Sequence, residues 1–365
     1  RRGFAGAAGN VLINCERPSS KTPLSEQLSR ISARDVLRID LYAGGADLRG
    51  QTQYVDVRLR PRTTRPTNTF MVQATQLDPS GSINPVINLT SAFQAGQTSI
   101  ALALQSQPAR RGRIEYRRFL ATPSGLPIES ADEFLQGSYR EYRLSGRVSW
   151  KPAAANTFNA NLQLTPSRDG RHTFADVSGP TGARVRVEDS LVKGDDALAV
   201  ELGGDWERKL GDAASFKLIG LATTRNTGSN ERYSVRPVAG APRDTLIRRS
   251  AESGETVGRA TLSTKPDSRH TLDFAMEGAF NFMDSELDVS AVTPLGTINA
   301  TPPVANTRVE EARIEGSVTD YWQVRDDLRI EAGLTVEASR ITQTGDAAQE
   351  RDFTYLKPRL AAAWT

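Results

Sequence analysis

From about residue 68 onward, apolar and polar side chains alternate with a period of two. In 272–282, Leu272, Phe274, Met276, Gly278, Phe280 and Phe282 share one face, against Asp273, Ala275, Glu277, Ala279 and Asn281 on the other. The same pattern runs through 328–338 (Leu328, Ile330, Leu334 and Val336 against Arg329, Glu331 and Glu337) and 312–322 (Ile314, Val318 and Trp322 against Arg313, Glu315 and Tyr321). Asp320 is the one interruption of that last apolar face. Shorter stretches around 142–150, 158–164 and 198–206 repeat it. A strand sends successive side chains to opposite faces, so this pattern predicts β-structure with one apolar face and no helix. Several faces run for about 11 residues, the span of a tilted transmembrane strand, whereas soluble strands are most often about 5–6 residues long.

Tight-turn signals recur at Lys151-Pro152, Leu210-Gly211-Asp212, Lys265-Pro266-Asp267 and Arg325-Asp326-Asp327. Between them, polar stretches at about 165–185, 226–252, 284–307 and 344–351 read as long loops. Short turns at one end and long loops at the other are the habit of outer-membrane barrels. Trp150, Trp206, Trp322 and Trp364 all lie in the apolar register, three of them just before a tight turn. An indole settles where its ring is buried and its N–H is wet, so the four predict an aromatic girdle on the periplasmic side. The opposite face, with Arg143, Arg147, Glu201, Glu277, Arg313, Glu315, Arg329, Glu331 and Glu337, then lines a lumen that holds water or a polar plug. The prediction is a mainly β chain: a transmembrane antiparallel β-barrel, incomplete at about 13 strands, over residues 68–365. An odd count, with the last strand breaking off at Trp364-Thr365, points to truncation.

Composition narrows the alternatives. With 46 basic and 43 acidic residues in 365, the net charge of +3 gives no reason to expect nucleic acid. The single cysteine, Cys15, excludes a disulfide framework, and two distant histidines, His172 and His270, make a metal site a poor expectation. No apolar run nears the 18–20 residues of a membrane helix, the longest being pieces such as 100–104; transmembrane strands need none. The chain opens at Arg1 with neither Met nor a signal-like segment and reads as a fragment.

Residues 1–60 differ from the rest. Leu24, Leu28 and Ile31 after Pro23 have helical spacing, and strand-like pieces lie at 10–13, 36–41 and 54–59. The stretch 61–67 reads as a linker. This small α/β unit carries Arg2-Gly3-Phe4, then Val11-Leu12-Ile13-Asn14-Cys15-Glu16-Arg17-Pro18-Ser19, then Leu24 to Ile31, then Val36 to Asp40 and on to Gly44-Gly45. In order and spacing it resembles the plug domain of TonB-dependent outer-membrane receptors, which run "RGF", "V-x-I-N-G-x-R-x-S", "L-x-x-I-P" and "I-x-R-I-E-V-x-x-G". The ending Tyr355-Leu356-Lys357-Pro358-Arg359-Leu360 resembles a barrel strand pair of that family. Cys15 stands where the family has Gly, Ser32 where Pro is common, and Asp40 where Glu is usual. The resemblance implies a 22-stranded barrel in the parent, a TonB box ahead of the plug, and a plug-motif set of Arg2, Gly3, Asn14, Arg17, Gly44 and Gly45, of which Arg2, Asn14 and Arg17 help lock the plug to wall carboxylates.

Candidate chemistry elsewhere is thin. His172 and Tyr233 fall in predicted loops and His270 at a predicted interface; Asp195-Asp196 and Asp326-Asp327 are acid pairs without a partner nucleophile. No nucleophile elbow, phosphate loop, dinucleotide fingerprint or zinc spacing occurs, so neither an enzyme nor a cofactor is expected. By resemblance the parent sits in a Gram-negative outer membrane and contacts its lipid. There it binds a small nutrient such as a ferric siderophore and imports it with energy passed through TonB. A passive porin, a carbohydrate-uptake receptor and an extracellular β-sandwich binding module are the alternatives.

Overall fold

The computed structural model describes residues 11–14, 28, 31, 33–43, 53–60, 66–77, 82–106 and 114–364. A small mixed sheet comes first: β1 (Val11–Ile13), β2 (Val36–Ala43) and β3 (Gln53–Leu59), in the order β1-β3-β2. β1 runs parallel to β3 and β2 antiparallel. Asp56 and Asp40 are register partners in this sheet, and Arg58 joins them, its Nε 2.7 Å from the buried Asp56 and 3.4 Å from Asp40. The predicted helix over Leu24–Ile31 lies largely outside the described residues; Ile31 N donates to Leu28 O at 3.0 Å, and a 3-10 turn follows at Ala33–Asp35.

The rest is one antiparallel sheet of 14 strands, against the expected 13 or so. They are β4 (Thr67–Leu77), β5 (Ser82–Ala95), β6 (Thr98–Ser106), β7 (Ile114–Ala121), β8 (Pro127–Ala153), β9 (Asn156–Ser178), β10 (Arg184–Lys209), β11 (Ala214–Pro237), β12 (Arg243–Thr264), β13 (His270–Thr293), β14 (Gly296–Asn299), β15 (Asn306–Arg325), β16 (Leu328–Gly345) and β17 (Gln349–Trp364). Neighbours in sequence are neighbours in space, except that β7 folds back on β8 and β14 on β13, leaving β6 beside β8 and β13 beside β15.

The two faces of this sheet are inverted relative to a soluble protein. On one face Leu202, Met276 and Ile314 are 56%, 59% and 49% exposed; on the other Leu221, Val257 and Glu277 are 3%, 1% and 5% exposed. The sheet curls around its charged side and leaves its apolar side outward. A hydrophobic face of this length left uncovered is the mark of a surface that meets lipid, and the chain is built as an outer-membrane β-barrel wall. Among the described residues no helix is long and apolar enough to cross a membrane, so only strands could do so. The outward face also carries four glycines in one cross-strand row, Gly204, Gly220, Gly258 and Gly278, a means of curving a sheet.

The expected long loops are corrected. Residues 165–178, 184–193 and 226–237 are paired strand, as are 243–252, and the connections at that end shrink to 179–183, 238–242 and 346–348. Past the lipid-facing band polar residues enter both faces of these strands, among apolar ones such as Phe174, Val177 and Val192. The period-two signal vanishes there although the ladder continues. His172 therefore stands in β9 and Tyr233 in β11, not in loops, and Asp195-Asp196 lie at a bulge within β10.

Candidate functional site: the inward polar face

The four tryptophans lie on the outward face at the tight-turn end. Trp150, Phe158 and Trp206 stack across β8, β9 and β10 with ring centroids 5.2 and 6.0 Å apart, and Phe216 meets Trp206 edge-on at 6.1 Å. Their wet ends find partners: Trp206 Nε1 donates to Asn156 Oδ1 at 3.2 Å and Trp364 Nε1 to Asp327 Oδ2 at 3.0 Å. Asp320, the break in the apolar pattern, sits at this level. His270 Nδ1 lies 2.9 Å from its Oδ2 while the imidazole stacks on Trp322 at 5.5 Å. A carboxylate at the interface, held by a neighbouring imidazole, costs far less than one within the hydrocarbon.

Strand register puts Arg143, Arg147, Glu201, Glu277, Arg313, Glu315, Arg329, Glu331 and Glu337 on one face of the sheet, opposite the exposed apolar one. Their grouping was not legible in advance. Glu277 accepts from Arg313 Nη2 at 2.9 Å and from Arg259 Nη1 at 3.3 Å. Arg313 also reaches Glu337 at 3.8 Å, and Lys357 Nζ bridges Glu337 at 2.5 Å and Glu315 at 3.5 Å. One chain of three cations and three carboxylates thus crosses β12, β13, β15, β16 and β17. Glu331 pairs with Arg359 at 3.2 Å, Arg329 lies 5.2 Å over the Tyr321 ring, and Arg143 bonds Glu141 at 2.7 Å. Arg147 faces Ala101 and Asn161 across its neighbouring strands. Arg259 and Lys357 escaped the sequence reading, because no residue of β12 or β17 had been assigned to this face and parity does not carry across a turn.

A recess of about 350 Å³ opens on the same face over β9–β13. Its floor is a cross-strand row, Gln163, Glu201, Thr223, Glu255 and Asn281, each in register with the next. Thr165, Arg225 and Ser253 form the row above. Asn161 Nδ2 donates to Glu201 Oε1 at 3.3 Å, and Asn281 Nδ2 to Glu311 Oε2 at 3.2 Å. The lining is amide, hydroxyl and carboxylate with one guanidinium, so it can grip hydroxyl groups from several directions.

Farther out the inward face carries a second ionic cluster. Arg186 bonds Glu129 at 2.5 Å and Glu188 at 2.6 Å, and Arg118 bonds Glu133 at 2.5 Å. The Arg186 hydrogen bond holds the Glu129 carboxyl below its ordinary range, and that from Arg236 does the same for Asp244. Among the described residues no group of three or more metal-ligating side chains forms.

Of the plug-motif residues, Arg2, Gly3, Arg17, Gly44 and Gly45 lie outside the described residues. Asn14 holds a left-handed turn, φ 54°, after β1; its Oδ1 accepts from Leu59 N at 2.8 Å, and its N donates to Val57 O at 3.1 Å.

No family model matches the chain, and no curated protein matches it. Among solved structures, the toluene transporter TodX of Pseudomonas putida is 14% identical over 76% of this chain and 77% of its own, with a TM-score of 0.31. The ferric citrate transporter FecA in its unliganded form is 12% identical over 97% and 70%, with a TM-score of 0.30. A mutant ferric enterobactin receptor of Pseudomonas aeruginosa, solved with enterobactin, is 8% identical over 97% and 83%, with a TM-score of 0.26. Likeness at this level adds nothing to what the strand ladder itself establishes.

Proposed function

We propose that the chain is the plug and part of the barrel of a TonB-dependent outer-membrane receptor. Such a receptor binds a scarce nutrient at the cell surface and admits it to the periplasm. The observation that carries this is the inversion of the sheet, apolar outside and charged inside. The small β1–β3 unit, with the motif order of a plug, favours an energised receptor over an open porin. No covalent chemistry is needed: ligand bound outside favours a plug state whose periplasmic end is released, a coupling between two sites.

A ferric siderophore is the first substrate class to test. The recess over β9–β13 favours a second reading within the same mechanism, a neutral hydroxyl-rich ligand such as a saccharide. The test is uptake by cells carrying the intact parent, with iron-loaded siderophores and with labelled oligosaccharides, in the presence and absence of TonB. Saturable uptake that stops without TonB is expected. Uptake that continues without TonB, together with steady ion conductance in a planar bilayer, would instead mark a porin.

A further inference from the structure

Arg140 on β8 and Arg168 on β9 are register partners on the outward face, and both are exposed. Like charges directly opposite in an antiparallel pair repel. Asp196 on β10 meets Arg168, with Nε–Oδ1 2.5 Å and Nη2–Oδ2 2.9 Å, which leaves the Nη1 edge turned elsewhere. Among the described residues Arg140 has no hydrogen bond or ion pair. A third cation reaches this rim through a bulge. The β10 ladder slips between Lys193 and Asp196, with Gly194 at φ 63°, and because Val192 is buried inward its neighbour Lys193 points out. Arg248 on β12 extends the same row through Asn230, to whose Oδ1 it donates at 3.3 Å.

The height of the patch gives it meaning. Arg140, Arg168 and Asp196 each stand two positions beyond an outward apolar residue, Tyr142, Pro166 and Leu198, with Phe134, Phe174 and Leu191 farther out on the same face. From Trp206 to Asp196 is about ten residues, the span of a membrane-crossing strand. The cations therefore sit where the lipid headgroups begin, at the end away from the tryptophans. The acids facing them are Asp196 and, across β12, Glu252. The far arc of the rim has the opposite sign: Asp284, Glu286 and Asp288 on β13, Glu310 on β15, and Glu350 and Asp352 on β17, against Arg308 and Arg340.

We propose that Arg140, Arg168 and Lys193 form a lipid-facing site for a phosphorylated headgroup of the outer leaflet, a reading that rests on the apolar band lying in the membrane. Guanidinium forks match phosphate oxygens two at a time, and a bound phosphate would turn the Arg140–Arg168 repulsion into a shared attraction.

The test compares the full-length protein with R140Q/K193Q and with a control in the acidic arc, E310Q/D352N. Each is extracted from outer membranes, exchanged into neutral detergent, and assayed by mass spectrometry for phosphorylated lipid retained per chain. It is then reconstituted in phosphatidylcholine vesicles with or without a lipid phosphomonoester. The double cation variant is expected to retain roughly thirtyfold less, the order of effect of two cations at a lipid surface, with the control unchanged. Equal retention in a variant that still inserts overturns the site alone. Displacement of the lipid by millimolar inorganic phosphate marks a simple anion site and also overturns it. Failure of every form to enter vesicles overturns the membrane reading beneath it.

Discussion

Gly254 on β12 and Phe282 on β13 are register partners so close that a β-carbon at 254 would stand 2.5 Å from Cε1 of the ring and 3.0 Å from Thr223 O. Gly258, on the same face of the same strand, has nothing within 4 Å of its virtual β-carbon. The two glycines should therefore respond oppositely to one methyl group. Gly254→Ala is expected to destabilise the barrel by about 1–3 kcal/mol, the cost of overpacking. Gly258→Ala should be neutral, or stabilising by roughly 0.5 kcal/mol. Urea unfolding in detergent, followed by tryptophan fluorescence, measures both. A smaller residue at 282, as in Phe282→Leu, should recover part of the loss at 254.

Leu202 and Glu201 are sequence neighbours on opposite faces of β10. Placing Arg at 202, midway along the band above Trp206, should cost about 2–4 kcal/mol on folding into lipid vesicles. Glu201→Gln should fold as the parent does, because that side chain lies on the inward face. Equal effects at both positions would mean that the faces have been assigned the wrong way round.

Arg313 sits between two carboxylates, Glu277 at 2.9 Å and Glu337 at 3.8 Å. Removing one partner of a buried pair is costlier than removing the pair, so Arg313→Ala is expected to lose about 3–5 kcal/mol. Arg259 and Lys357 keep hold of the two orphaned acids, which places the loss at the lower end. Glu277→Gln combined with Arg313→Met should cost less than Arg313→Ala alone. Equilibrium unfolding of the three variants decides it.

Asp346 fastens the outer connection between β14 and β15, its Oδ2 accepting from Ala305 N and Asn306 N at 2.7 Å each. Those two backbone hydrogen bonds hold the carboxyl below its ordinary range. A carboxyl depressed by folding stabilises above its unfolded pKa, about 3.9, and the contribution fades as pH falls through the lower folded value. Amide protection of Ala305 and Asn306 should thus drop below about pH 4 in the parent. Asp346→Asn keeps an acceptor but cannot titrate, so its protection should be flat over that window.

Legibility in the sequence followed the alternation. Where a strand has one apolar face, as in 312–322, its existence, its faces and the height of its tryptophan could all be read. Where polar and apolar residues mix on both faces, as in 165–178 or 243–252, there was too little contrast to read and the same backbone ladder passed for loop. The ionic chain through Arg259, Glu277, Arg313, Glu337 and Lys357 was half visible. The faces of Glu277, Arg313 and Glu337 follow from parity, but which cation meets which acid depends on inter-strand register, and one chain segment carries no information about that. The bulge at Gly194 shows the limit most plainly. A single inserted residue reverses the parity of β10, so Lys193 faces out where simple counting from Glu201 turns it in.

The ladder that runs on beyond the apolar band has a consequence for whatever meets this end of the molecule. A visitor would encounter a stiff parapet of hydrogen-bonded ribbon instead of pliant tendrils. Its contact points would be every second residue on several neighbouring ribbons. An antibody or phage would accordingly see a discontinuous epitope, which a short synthetic peptide from any one segment could not reproduce.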